Sequence, residues 1–180
     1  MMPDVYACIE QDLRAVETMM TEALQTDEPR VAALLDELGQ FHGKMLRPAM
    51  VMLVARALGP VTEDHIRLGA ALEMITTATL IHDDMIDDGR TRRGQPTPHV
   101  RFGNTTAVLL GDYFYTHAFH IAACMHRPEL MQRLCAVTNV ICEGELHQMC
   151  ARRDVALSEE EYNRIIHAKT AALCEVASVF

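Results

Sequence analysis

Tryptophan is absent, and phenylalanine and tyrosine together supply only 5% of the 180 residues. Nearly half of the chain is nonetheless hydrophobic, carried by Ala, Leu, Met and Val, a vocabulary that favours helix over strand and sets an all-α class. Positive charge is also in short supply: the formal net charge is −9, and the basic residues are dispersed or tied to one loop. A nucleic-acid partner, which needs a basic face, is excluded on that ground. Close C-x-x-C pairs are lacking, and most of Cys8, Cys124, Cys135, Cys142, Cys150 and Cys174 fall within apolar helical patterns. They read as buried free thiols in a reducing cytosol. No apolar run approaches the ~20 residues of a spanning helix. Asp4, Glu10 and Asp12 break up the N-terminus, so no signal peptide is expected and the protein is read as soluble and cytoplasmic. Repeats, low-complexity tracts and interdomain linkers are missing too, which leaves a single domain over 1–180.

Within these bounds the chain reads as a series of helices. Apolar residues recur every three or four positions from Asp4 to Leu24. Asp27 reads as the N-cap of a short helix that reaches Gly39, and Gly39 and Gly43 bracket Gln40, Phe41 and His42. A helix then opens at Lys44-Met45-Leu46-Arg47-Pro48 and stops at Gly59-Pro60. Thr62 starts a helix that is apolar or small nearly all round and runs into the aspartates at 83–88, which makes it the central element. Pro96 and Pro98 lie in a loop. Asn104 caps the next helix, Arg127-Pro128 marks a break, and a further helix runs from Glu129 to about Arg153. Ser158-Glu159-Glu160-Glu161 is a capping box for a last helix that is still apolar at Phe180.

The chemistry concentrates where the central helix ends. Asp83 and Asp87 share a helix face one turn apart, with Asp84 and Asp88 beside them. Carboxylates so crowded repel one another, and more so at a helix C-terminus, unless a cation sits among them. Oxygen-only ligands on one exposed face suit Mg²⁺, which keeps waters and is completed by substrate phosphates. The following Arg90, Arg92 and Arg93 can clamp phosphate oxygens. Lys44 and Arg47, three apart at a helix start, form a second candidate anion site beside free backbone N–H groups. Taken alone they also read as solvated surface cations, and Lys169 as a snorkelling lysine. His117 and His120 share a face but have no third ligand, which favours packing or solvent over metal.

In this order the blocks resemble those of the trans-prenyltransferase, or polyprenyl diphosphate synthase, family. Gly43-Lys44-Met45-Leu46-Arg47-Pro48 resembles its G-K-x-x-R-P element, and Asp83-Asp84-Met85-Ile86-Asp87 its first aspartate-rich motif. Arg92-Arg93-Gly94-Gln95-Pro96-Thr97 is similar to its paired-arginine segment, Lys169-Thr170-Ala171 to its Lys-Thr element, and Glu143-Gly144-Glu145 with Gln148 also looks familial. The resemblance implies the first half of a class I isoprenoid synthase-like helical bundle, closest to long-chain members and homodimeric. It implies condensation of an allylic diphosphate with isopentenyl diphosphate. In that reading Asp83, Asp84 and Asp87 hold Mg²⁺ against the allylic diphosphate. Lys44, Arg47 and Arg93 anchor isopentenyl diphosphate, and Arg92, Lys169 and Thr170 hold the allylic partner, with Lys169 counted among the catalytic groups. Ala78 and Thr79, small residues about one turn before Asp83, leave the product tunnel open beyond fifteen carbons, with Met74 and Ile75 as deeper wall residues. The lipophilic product can draw the enzyme to a membrane surface.

Two departures accompany the match. Thr76 stands where the family commonly carries a His that contacts isopentenyl diphosphate, and no second aspartate-rich motif follows Asp154. The expectation is a truncated chain whose residues alone lack turnover. Two other readings stay open at this point. One is a non-catalytic half-length subunit of a heteromeric synthase. The other is a His-Asp metal phosphohydrolase, suggested by Leu80-Ile81-His82-Asp83-Asp84.

Overall fold

The structure, a computed structural model, describes residues 6–38 and 43–179. The predicted break at Gly39 and residues 40–42 lies outside them, as do Asp4 and Val5, at the expected start of the N-terminal helix. That helix is observed as a 3₁₀ turn, Ala7–Ile9, running into α1, Glu10–Ala23. α2 spans Pro29–Leu38. Its start is held not by Asp27 but by Glu28, whose Oε1 accepts the Arg30 N–H at 3.4 Å. A proline at the first helical position makes the residue before it the cap.

α3 runs Leu46–Leu58, behind Met45 in the left-handed region at φ 52°. Lys44, at the expected start of the helix, therefore precedes it, and the left-handed Met45 stands between Lys44 and the helix that carries Arg47. α4, Glu63–Ile86, opens on Thr62, whose backbone N–H donates to His65 Nδ1 at 2.9 Å, with Glu63 and Asp64 at the positive end of the helix dipole.

Beyond α4 the loop with the two prolines contains more order than its sequence announced. Strands β1, Thr91–Arg92, and β2, Gln95–Pro96, pair antiparallel in the register Thr91 with Pro96 and Arg92 with Gln95. A short helix α5, Pro98–Phe102, follows, and Gly103 at φ 86° precedes α6, Asn104–Cys124, so Asn104 is its first residue and not its cap. α7 spans Pro128–Cys150. The Ser158 capping box forms as read: Ser158 Oγ accepts from the Glu161 N–H at 3.2 Å, and Glu161 Oε2 accepts from the Ser158 N–H at 3.0 Å. The last helix, however, is α8, Glu159–Ile166, then a π-helical turn, His167–Ala171, then α9, Ala172–Ser178.

α4 sits at the centre, packed against α6, α3 and α1, with α9 closing on it as well. Residues 68–78 are buried without interruption, so this helix has no solvent face along that stretch. Leu68, Leu72, Met74, Ile75 and Ile81 are at most 1% exposed. Each contributes about 1.5–3 kcal/mol of burial. The small residues Gly69, Ala70, Ala71 and Ala78 let the neighbouring helices approach.

The cysteines are corrected by the fold: five are exposed and Cys174 is half-buried, and all six are free thiols. In α7, Cys135 and Cys142 each follow a core residue, Leu134 and Ile141, and one step along a helix rotates the side chain by about 100° to the outside. Among the described residues no helix is long and apolar enough to cross a membrane.

Candidate functional site

The last turn of α4 separates its carboxylates. Asp84 turns inward, and both oxygens accept from Arg92: Oδ2 from Nε at 2.7 Å and Oδ1 from Nη2 at 2.8 Å. Its side chain is 7% exposed. Asp83 and Asp87 lie on the other side, one turn apart. The helix ends with Asp87 as C-cap and Asp88 in the left-handed region at φ 52°, while the Gly89 N–H donates to the Asp84 carbonyl at 2.8 Å in a Schellman closure. Asp88 is exposed and takes no part in the cluster. Burial, with negative charge from Glu145 and Asp87, pushes the Asp83 carboxyl up to about 6, against the pull of Lys169 and Arg92.

The hairpin after α4 sends its two adjacent arginines to different places. Arg93 and Gly94 form the two-residue connection, at φ 52° and 78°, as a type I′ hairpin turn requires. Arg92 reaches Asp84, and Arg93 faces the field of Glu73. Thr97 pins the hairpin to the helix end: fully buried, its hydroxyl donates to the Gly89 carbonyl at 2.7 Å.

Opposite Asp83 stand α7 and the π turn. Lys169 Nζ bonds Glu145 Oε2 at 2.8 Å and Gln148 Oε1 at 2.9 Å. This approach depends on Gly144, because a Cβ there would lie 2.6 Å from the Ala168 Cβ. The π turn widens the helix at Lys169, a common device at functional sites. Arg152 donates to Asp87 Oδ1 at 3.1 Å. Between these elements lies a cleft of about 200 Å³, lined by Asp87, Glu145, Gln148, Arg152, Tyr162 and Ile166 among others. Thr170 does not join them. It is exposed and faces a separate cleft with Asn163 and Ile166.

The second cationic group gathers about a residue that the sequence reading passed over. Glu73, in mid-α4 and 1% exposed, accepts the Met45 N–H at 3.3 Å and a further backbone bond from Gly43. The Met45 N–H beside Lys44, expected to be free for an external anion, is thus used by an internal carboxylate. Burial raises the Glu73 carboxyl above its usual range, opposed by these bonds and by the positive charge of Arg47 and Arg93. A signal existed, since Glu73 is the one ionisable side chain between Arg67 and His82. Lys44 is exposed and Arg47 half-buried. Thr76, at the position of the missing histidine, donates its hydroxyl to the Leu72 carbonyl at 2.7 Å. Ala78 is fully buried and Thr79 half-buried.

His82 faces α6. Its Nε2 lies 3.1 Å from the Val108 carbonyl, its ring stacks near Tyr115, and it packs so close to Gly111 that a Cβ there would come within 2.1 Å. His82 is thus engaged by α6, while Asp83 feels the charges of Glu145 and Lys169. His117 Nδ1 lies 2.8 Å from the Tyr113 carbonyl, a local helix contact.

Among the described residues no three His, Cys, Asp or Glu side chains converge as a preformed metal cage. The donor chemistry still fits a hard divalent cation. Asp83 and Asp87 present oxygens only, and Asp83 is raised first by burial and then by the negative charge of Glu145 and Asp87, an environment that a bound cation would relieve. A cation held by two carboxylates takes its other ligands from water and phosphate.

Residues 28–180 match the polyprenyl synthetase family. The octaprenyl diphosphate synthase of Escherichia coli (strain K12) is 37% identical over 172 residues, 93% of this chain and 52% of that protein. Among solved structures, a decaprenyl diphosphate synthase from Rhodobacter capsulatus is 35% identical at a TM-score of 0.90, over 97% of this chain and 54% of that one. A polyprenyl synthase from Caulobacter crescentus CB15, complexed with calcium and isoprenyl diphosphate, is 36% identical at a TM-score of 0.90, over 97% and 53%. The chain spans about half the length of these relatives. With the expected blocks in order and a helical architecture shared with the solved synthases, the chain belongs to the polyprenyl synthetase family.

Proposed function

We propose that this chain serves prenyl chain elongation, condensing an allylic diphosphate with isopentenyl diphosphate to give a polyprenyl diphosphate longer than fifteen carbons. The observation that carries the reading is the division of two adjacent arginines between two groups, Arg92 bonded to Asp84 and Arg93 acting on the buried Glu73, whose field Arg47 shares. A reaction that joins two diphosphates needs two such groups, held so that their hydrocarbon ends meet. Arg92 and Lys169 hold the allylic diphosphate, with Thr170 following if its exposed hydroxyl is drawn inward. Lys44, Arg47 and Arg93 hold isopentenyl diphosphate.

Asp83 and Asp87 hold a divalent cation, Mg²⁺ in this reading, which when bound neutralises the charge of the departing diphosphate. Asp84, engaged by Arg92 through both oxygens, would join them once a phosphate takes the guanidinium. Lys169, held between Glu145 and Gln148, is placed to pass from these partners to a phosphate oxygen. Ala78, with no side chain beyond Cβ, leaves room for the growing chain. A cytoplasmic homodimer that meets membranes through its product fits the exposed Leu109 and Val108 on α6, apolar surface available to a second copy.

Calorimetric titration with a non-ionising allylic diphosphate analogue tests the reading. Binding that strengthens with Mg²⁺ in the wild type and loses that gain in Asp83→Asn/Asp87→Asn is expected. A gain that survives both substitutions overturns it.

A further inference from the structure

Glu73 lies in the one stretch of α4 that has no solvent face, and no neighbour within six positions in sequence is charged except Arg67. A buried carboxylate is costly there unless its oxygens are used. They are used on backbone: the N–H groups of Gly43 and Met45 converge on the carboxylate, and Met45 adopts the left-handed conformation that points two nearby N–H groups the same way. The fit at residue 43 is tight, because a Cβ on Gly43 would lie 2.0 Å from Glu73 Oε1. Lys44 is carried on the backbone between the two donors. On the far side, Arg47 and Arg93 supply positive charge to the same carboxylate, and the buried Arg47 Nε has no hydrogen-bond partner among the described residues. Arg47 is thus held near Glu73 without being consumed by it.

We propose that Glu73 is a positioning residue for diphosphate binding: by capturing the Gly43 and Met45 N–H groups it fixes the 43–47 segment so that Lys44 and Arg47, with Arg93, converge on one diphosphate. The proposal rests on the reading of Lys44, Arg47 and Arg93 as a diphosphate site. It adds the residue that builds the site without touching the ligand. Two blander roles make different demands. A carboxylate that serves only as a counterion weakens anion binding, so neutralising it would tighten the site. One that serves only the core would change stability and leave affinity alone.

Inorganic pyrophosphate is titrated calorimetrically in excess chelator so that the aspartates contribute no metal, and the binding lost in Lys44→Ala is the part that belongs to this site and not to Arg92 and Lys169. For Glu73→Gln the affinity is expected to fall about tenfold or more, the scale of losing one charge-assisted hydrogen bond. Amide exchange at Gly43 and Met45 is expected to quicken by a similar factor. Affinity equal to or above the wild type overturns the proposal. Gly43→Ala, which drives a methyl at the carboxylate from the loop side, gives the same fall if Glu73→Gln does not fold. Shortening the acid in Gly43→Ala/Glu73→Asp is expected to recover part of the loss, and no recovery counts against it. A wild-type chain that takes up no pyrophosphate in chelator, or whose uptake is untouched by Lys44→Ala, overturns the diphosphate reading itself. Amide exchange then still judges Glu73: unchanged exchange in Glu73→Gln shows that it does not hold the loop.

Discussion

Arg92 places two nitrogens on the two oxygens of Asp84, at 2.7 and 2.8 Å, and so removes the middle carboxylate of the aspartate motif from the free metal-facing surface. The Asp84 side chain is 7% exposed and that of Arg92 31%, so the pair is desolvated mainly on the acid's side. Removing Arg92 leaves a buried charge without its partner. For the metal-free protein, Arg92→Ala is expected to cost about 2 kcal/mol, below the usual figure for fully buried pairs because the arginine is partly solvated. Adding Asp84→Asn should return most of that, since the orphaned charge is gone. Urea unfolding of the two single variants and the double variant measures the coupling; strict additivity would show that the bidentate pair has no energetic role.

The Asp83 carboxyl, pushed up to about 6 from an ordinary value of 3.8, ties stability to pH. A carboxyl that holds its proton more tightly folded than unfolded favours the folded state at low pH. Without metal, stability should therefore fall as pH rises from about 4 to about 6 and level off above, by about 2 kcal/mol in total once solvent screening of the partly exposed carboxyl is allowed for. The difference between wild type and Asp83→Asn in chelator isolates this dependence. Mg²⁺ should then stabilise the wild type more at pH 8 than at pH 5.

Gly144 sets how closely α7 meets the π turn. Alanine there presses on Ala168 and displaces the neighbouring Lys169, with an expected loss of about 1–3 kcal/mol by overpacking. Ala168→Gly in the same chain removes the opposing methyl and should restore most of the stability. If thermal unfolding shows no rescue, the contact does not limit the approach.

Ala78 is fully buried one turn above Asp83's own turn. In the active enzyme, phenylalanine there is expected to shift products towards shorter chains, read by chromatography of the dephosphorylated alcohols, with circular dichroism checking that the helix content is kept. An unchanged product distribution from folded Ala78→Phe contradicts the placement of Ala78 and Thr79 along the product's path.

How far the molecule is legible before folding differs from residue to residue. The buried α4, the Ser158 capping box and the proline-opened α7 follow from periodicity and local hydrogen bonding, which a sequence displays directly. Arg92 and Arg93 are visible as a pair, but their separation depends on positive φ at Arg93, where a non-glycine gives no local cue. The same holds for Met45: its left-handed backbone takes Lys44 off the helix and hands the loop's N–H groups to Glu73. Glu73 itself stands out only as a charge in an apolar helix, and its partners lie 28 and 30 residues away. The outward cysteines show the converse: residues within an apolar pattern need not belong to its buried face.

The sharpest test of two diphosphate groups served by neighbouring arginines is a crossed measurement on Arg92→Gln and Arg93→Gln. Dissociation constants for isopentenyl diphosphate and for a non-ionising allylic diphosphate analogue, the latter with Mg²⁺, are taken for both variants. Arg93→Gln should weaken isopentenyl diphosphate alone and Arg92→Gln the allylic analogue alone, each about tenfold or more, as for the loss of a charge-assisted contact. Both variants weakening both ligands alike would contradict the division and reduce the two groups to one.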